Sequence, residues 1–443
     1  MSEHWNADVV IVGGGPTGSY LGWKLAQAGS DVLILETLPL EKVGAHIEVI
    51  HLDQVRFDEF EIPHPLPPER MHLVPANKVW SVDKSGYFEV RYPFYVVNMP
   101  AFVQRLHGYA RESGGRVVGG AQVKEVIMED GYCRGVRGTF NQQPFEARAR
   151  IVVDASGLIS AVRTKLPDDF EVENCPVPAE QTFYCTLELR DEIPAGYPVD
   201  NNSYLGSPGY WNKSYGDGAV LGIIAPASVK NAWTALTQWR QATFGEPGKL
   251  VAKRAGCSPY RRSPNSYVGN GFVGVGDCVY QNKAFSGEGI TSGFTACKIA
   301  SEVMVKALKN GDVSREGLWE YNVRYFHGQG AKFASVMMFL FPVNGLPNHE
   351  IDYLNRHNII FCQDDYEYMN LNYELNLPAE RWAAICEQLS DGMKKGLFSE
   401  NSLRLMNALY QKAGQVSAHY RAYPVNPSGI EAWSKVTREY WGY

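Results

Sequence analysis

The chain has 443 residues, of which 45% are hydrophobic, 12% aromatic and 20% charged, with a net charge of −6. That length holds two or three domain-sized units sharing a large core, and the acidic balance leaves no basic footprint for nucleic acid. Eight cysteines without a C-x-x-C pair argue against a zinc ribbon or an iron–sulfur cluster and fit free thiols in a reducing cytosol.

The stretch from Asp8 to Glu36 carries the strongest signal. Val9 to Val12 is an apolar run of the kind a buried parallel strand shows. Gly13, Gly15 and Gly18 follow with G-x-G-x-x-G spacing, Pro16 and Thr17 lie between them, and an apolar-periodic helix runs through Leu21 and Leu25. A second apolar strand, Val32 to Leu35, ends on Glu36. In such a unit the first glycine makes the tight turn, the second lets a pyrophosphate approach the backbone, and the third lets helix and strand pack closely. The helix N-terminus faces the phosphates with free N–H groups, and the acid accepts the ribose hydroxyls. A dinucleotide site is expected here. The first residues, MSEHWNADVVIV, carry neither a basic n-region nor an apolar h-region, so no secretion signal is expected.

Thr37 to Pro75 reads as a surface connection, with a short helix within Gly44 to Val55. Alternation from Val79 to Val97 predicts strands with a hairpin turn near Ser85-Gly86. Pro100 opens a helix through Phe102, Leu106 and Tyr109 that stops near Gly114-Gly115. Strand-like runs follow at Gln122 to Met128 (with Val123), Cys133 to Phe140 and Ala147 to Val153, the last entering Asp154-Ala-Ser-Gly157. Gln181 to Leu189 and Tyr204 to Ile224 predict an inserted antiparallel sheet, with Trp233 and Trp239 on a returning helix. Phe272 to Val275 is a short buried strand ending in Gly276-Asp277, and a long helix runs from about Gly289 to Leu308. The remainder is mostly helical. The longest apolar run, Val336 to Phe341, is stopped by Pro342 and falls short of the ~20 residues of a membrane span. It is a candidate for resting on a membrane surface.

The glycine motif, the D-A-S-G segment and the sequence GVGDCVYQNKAFSGEGI (Gly274 to Ile290) together resemble the flavoprotein family of aromatic hydroxylases, flavin halogenases and geranylgeranyl reductases. The resemblance covers roughly the first 310 residues in order and spacing. It implies an α/β fold: a Rossmann-like FAD-binding domain of the glutathione-reductase, p-hydroxybenzoate-hydroxylase-like type, an inserted antiparallel β-sheet substrate domain and a helical C-terminal region. The expected boundaries are 1–175 and 255–312 for the FAD-binding domain, 176–254 with parts of 76–97 for the substrate domain, and 313–443 for the helical region. Carried over by position, cofactor contacts fall on Gly13, Gly15, Pro16, Thr17, Gly18, Glu36, Val123, Asp154, Gly157, Asp277, Gly287, Gly289 and Ile290. The helix start at Ser286 to Ile290, aimed at the flavin, would stabilise negative charge on the reduced ring. A glycine-turned helix cap and a strand-end Asp would account for the same residues singly.

Within the family, Ser286-Gly-Glu-Gly-Ile290 is most similar to the geranylgeranyl reductase branch, as is Gly209-Tyr-Trp…Tyr215-Gly-Asp-Gly218. Three features depart from it: the aromatic spacing of Gly209 to Gly218 is compressed and lacks the branch's F-P, His46 stands where archaeal members have a cysteine, and Met99 replaces an arginine that helps hold FAD. The resemblance implies non-covalent FAD and hydride transfer from flavin N5 to a C=C bond of a prenyl or lipid-like substrate. An acid must then supply a proton in a dry pocket. Candidate catalytic residues are His46, Glu48 and Tyr215, and Tyr210, Trp211 and His51 are candidate pocket residues. Two other readings stay open: a group A flavin monooxygenase or halogenase acting on an aromatic, and an electron-transfer flavoprotein:quinone-type oxidoreductase. NAD(P)H and a reduced ferredoxin are the candidate electron donors. A cytoplasmic protein with peripheral membrane contact is expected, and no metal is.

Overall fold

Continuous apolar runs such as Val-Val-Ile-Val and Val-Leu-Ile-Leu suit strands covered on both faces, and they lie at the centre of the first sheet. The computed structural model describes residues 3–170, 172–174, 177–192, 202–205, 209–215, 218–226, 228–283 and 285–443. The first sheet runs in the order Val268–Gly269, Phe272–Gly274, Gln143–Asp154, Glu3–Val12, Val32–Glu36 and Arg116–Gly119. From Phe272–Gly274 onward its neighbours are parallel. Tyr132–Phe140 and Ala121–Glu129 extend it as an antiparallel ribbon from the first half of Gln143–Asp154. The helices Pro16–Gln27, Met99–Glu112 and Ile290–Asn310 pack together beside it. Met99–Glu112 starts where the Asn98 side chain accepts from the Ala101 N–H at 2.9 Å.

A seven-stranded sheet forms a second layer, ordered Leu250–Pro259, Thr182–Arg190, Gly218–Pro226, Gly209–Tyr215, Asn202–Tyr204, Asn77–Trp80 and Tyr87–Val90. The hairpin near Ser85-Gly86 supplies its far edge. Helix Val229–Phe244, with Trp233 and Trp239, covers one face. Between the two large sheets lies a three-stranded one: Val49–Asp53, Phe94–Asn98 and Arg70–Val74.

The Gly44–Val55 stretch differs from expectation. It forms the strand Val49–Asp53, and the short helix comes afterwards, at Gln54–Glu59. Pairing of Val49 to Asp53 with Asn98 to Phe94 decides it, a long-range partner that local spacing does not reveal.

The C-terminal helices close around stacked aromatic rings, with Tyr267 and Phe326 at 4.8 Å and Phe326 and Tyr423 at 4.3 Å. Val336 to Leu340 is buried inside helix Ala331–Val343, so this run is core and is not free to rest on a membrane. Among the described residues no helix is long and apolar enough to cross one.

Candidate functional site

The three sequence motifs meet at the carboxyl ends of the parallel strands, where open α/β sheets bind ligands. Gly13 has φ +112°, and a Cβ there would lie 2.3 Å from the Ala155 carbonyl oxygen. A Cβ on Gly18 would lie 2.1 Å from the Gly13 carbonyl oxygen. Gly15 has nothing within 4 Å of its Cβ position, which leaves room for a phosphate beside the backbone. The Gly14 N–H donates to Glu36 Oε2 at 2.8 Å, and the Leu38 N–H donates to Oε1 at 2.8 Å. A carboxylate has about four acceptor positions, so Glu36 retains capacity for two hydroxyls. The Gly14 carbonyl accepts from Ser19 Oγ and His107 Nε2, which fixes the loop from behind.

Pro16 occupies the first helical turn, where its missing N–H costs nothing. Thr17 lies under Gly276 and Gly293, whose Cβ positions would be 3.1 and 3.0 Å from its side chain, so it packs at the crossing with helix Ile290–Asn310. Val123 is buried beside the first sheet in a cluster with Val10, Val12 and Leu35.

Asp154 acts differently from the direct contact expected of it. Its carboxylate accepts from Ser156 N–H and Oγ and from the N–H groups of Val162 and Arg163, and it is fully buried. Those bonds order the Gly157 turn. They also aim the buried Arg163 guanidinium at the Cys278 carbonyl, 2.7 Å from Nε. The second motif thus holds the third.

Asp277, on that third motif, has a carboxyl that burial raises to about 6. Its Oδ1 is 2.7 Å from where a Cβ on Gly289 would stand. Helix Ile290–Asn310 begins after Gly289 with no side-chain cap, so its first N–H groups have no side-chain acceptor at the N-cap. Gly287 has φ +72° and its carbonyl accepts from Ser258 Oγ at 2.9 Å, seating this turn against the seven-stranded sheet. A tight glycine cradle, an open Gly15, a ribose-side acid and a free helix N-terminus together fit a flavin dinucleotide.

On the sheet side, several expected residues lie elsewhere. Strand neighbours point to opposite faces. Tyr210 packs on the outer face under helix Val229–Phe244, stacked on Trp239 at 5.0 Å, away from the layer that Trp211 faces. Trp211 faces inward, its ring occupying the space over Gly222. Tyr215 donates its hydroxyl to the Arg190 carbonyl at 3.0 Å. Glu48 is ion-paired with Arg254, and His46 is exposed on the preceding turn, so neither forms a buried acid. Gly216, Asp217 and Cys175 lie outside the described residues. His51 faces the inter-sheet layer, its ring 5.1 Å from Phe94, with Nε2 buried and unbonded. Burial, then the nearby Lys213 charge, lower its imidazole to about 3 and keep it neutral.

Sequence reasoning missed two lysines. Lys283 is fully buried and donates to Glu288 Oε2 at 2.8 Å, and to Asp53 Oδ2 and Asn370 Oδ1 at 3.3 Å each. This anchors the turn from Ser286 to Gly289 to the three-stranded sheet and to the C-terminal region. Lys213 lies two residues from both Trp211 and Tyr215, a spacing that puts all three on one strand face. That alternation was legible; what the face covers was not.

The family model for FAD-dependent oxidoreductases matches residues 58–303, more than half of the chain, and a model for NAD(P)-binding Rossmann-like domains matches residues 11–82. A digeranylgeranylglycerophospholipid reductase of Sulfolobus acidocaldarius is 24% identical over 97% of this chain and 96% of its own length. One from Methanosarcina acetivorans is 27% identical over 71% of this chain and 78% of its own. Among solved structures, a geranylgeranyl bacteriochlorophyll reductase-like protein of Thermoplasma acidophilum has a TM-score of 0.75 at 17% identity. It covers 92% of this chain and all of its own. A flavin-dependent brominase has a TM-score of 0.64 at 16% identity, over 88% of this chain and all of its own. The glycine cradle, the sheet order and the family match agree, and the chain belongs to the FAD-dependent oxidoreductases.

Proposed function

We propose that this oxidoreductase saturates carbon–carbon double bonds in the prenyl chains of a lipid. The observation that carries this reading is the similarity to a digeranylgeranylglycerophospholipid reductase along nearly the whole length of both chains. The inward sheet face is consistent with it, because Trp211, Leu187, Leu189 and Val220 make the layer against Val49, Val74 and Val96 apolar.

Bound FAD, once reduced, supplies the hydride. The chain's own residues hold and orient it. Gly13, Gly15 and Gly18 admit the pyrophosphate, and Glu36 accepts from the ribose. Asp277 would hold the chain linking pyrophosphate to ring, and the Gly287–Ile290 helix start would stabilise negative charge on the reduced ring. The electron donor we assign is NAD(P)H or a reduced ferredoxin, and the lipid is reached at a membrane surface.

The test is anaerobic: reduce the FAD-loaded protein, add a geranylgeranyl-bearing phospholipid, and follow flavin absorbance. Reoxidation without oxygen, with saturated product by mass spectrometry, is expected. A flavin that stays reduced until oxygen and an aromatic are supplied would replace this reading with a monooxygenase.

A further inference from the structure

We propose that Lys213 is the acid of this reduction, giving its proton to the alkene carbon adjacent to the one that receives the hydride. The inference rests on the reductase reading above. Lys213 is 4% exposed and points into the layer between the seven- and three-stranded sheets, its Nζ 5.4 Å from the Phe94 ring. Its hydrogen bond goes to the Asn77 side-chain oxygen, and among the described residues no carboxylate lies at ion-pair distance. Lys283, equally buried, has two. A buried ammonium without a counter-ion is expensive to keep, so a structural role explains Lys213 poorly. Burial depresses this amine to about 7, opposed by the more distant Glu288 charge, so it both carries and releases a proton near neutrality.

The sheet places it on the same face as the residue that packs against the Gly287 turn. Gly287 sits against Ile224, whose strand pairs Gly222 with Trp211 and Val220 with Lys213. Ile224, Trp211 and Lys213 therefore follow one another along a single face. Several other titratable groups near this layer are committed. His51 is neutral, and Glu288 is held ionised by Lys283. Tyr215 is bonded to a carbonyl, the Cys185 thiol is pushed up to about 12, and Glu48 is paired with Arg254.

In the step, the C=C π bond breaks as a hydride from the reduced cofactor bonds to one carbon and the Lys213 proton bonds to the other. The cofactor loses two electrons, the alkene gains them, and the neutral amine regains a proton from solvent. A donor of the NAD(P)H or ferredoxin class restores the reduced cofactor.

The experiment compares wild type with Lys213→Met and Lys213→Gln, both loaded with FAD and reduced anaerobically by dithionite. Geranylgeranyl phospholipid is then added across the pH range. Wild-type reoxidation should fall as pH rises through about 7. Both variants should bind FAD as wild type does, lose that pH limb and slow about 100-fold or more. Lysine titration by NMR after ¹³C-methylation should show one resonance with a strongly depressed pKa, absent from Lys213→Met. Lys213→Met should also melt above wild type, because it removes an uncompensated buried amine. If wild type is not reoxidised, the reductase reading falls and this step with it. If wild type is reoxidised and the variants keep its rate and pH profile, Lys213 alone is excluded. A lysine spectrum without a depressed pKa, or variants that fail to fold, would also exclude it.

Discussion

Gly15 and Gly18 share a motif and make opposite demands. Gly15 has φ −68° and open space beyond it, so Gly15→Ala should leave unfolding free energy within about 0.5 kcal/mol of wild type. The same methyl blocks the phosphate approach, and FAD affinity measured by fluorescence quenching should fall about tenfold or more. Gly18→Ala drives a Cβ into backbone, and urea unfolding should show a loss of about 1–3 kcal/mol even without cofactor. Asp277 makes a pH prediction. Its folded pKa of about 6 exceeds the ordinary value of 3.8, so between the two the folded state keeps a proton that the unfolded state releases. Stability from this group therefore falls as pH rises through that window. Asp277→Asn should flatten that part of the melting-temperature profile of the cofactor-free protein and weaken FAD binding. The glycines were legible because backbone sterics act locally. Tyr210 and Trp211 were not, because which strand face is the inner one depends on layers contributed by distant residues.

Between elements, charge does what hydrophobic packing cannot. Lys283 joins a loop to the strand Val49–Asp53 and, through Glu288, sets the approach to helix Ile290–Asn310. Lys283→Met leaves Asp53 and Glu288 without their shared cation, and the expected cost is about 3–5 kcal/mol in denaturant unfolding. Adding Asp53→Asn to that variant should recover part of the loss. The strand–glycine–helix unit, the hairpin and helix Ile290–Asn310 could all be read from the sequence, since each is local in period and punctuation. The Val49–Asp53 strand escaped because its pairing partner lies some forty residues on. The Asp154 network shows the same limit. An acid after a strand suggests a ligand, yet here four donors from its own turn use it.

At the scale of the molecule, the C-terminal helices complete the core and are not an appendage. Arg56 donates to the carbonyls of Asn370 and Leu371 at 2.8 and 2.7 Å and lies 4.1 Å over Tyr373. Tyr267, on the first sheet's border, stacks with Phe326 and through it with Tyr423. A chain ending after residue 312 should therefore be recovered aggregated and free of bound flavin, as sedimentation and absorbance would report. Composition and helical spacing marked this region as helical; its attachment to the cofactor side depended on side-chain geometry.

Strand order has a consequence in time. Glu3–Val12 is made before its sheet partners, and its neighbour on one side ends at Asp154 and the next strand out at Gly274. At the usual pace of synthesis, on the order of 10–30 s pass before Gln143–Asp154 leaves the ribosome. Throughout that wait Val9 to Val12 has an open apolar edge, the kind of surface that molecular chaperones bind. Nor can the cofactor shorten the exposure: Asp277 and the helix start at Ile290 arrive later still, so the newborn protein must guard its first strand without the ligand that strand was built to hold.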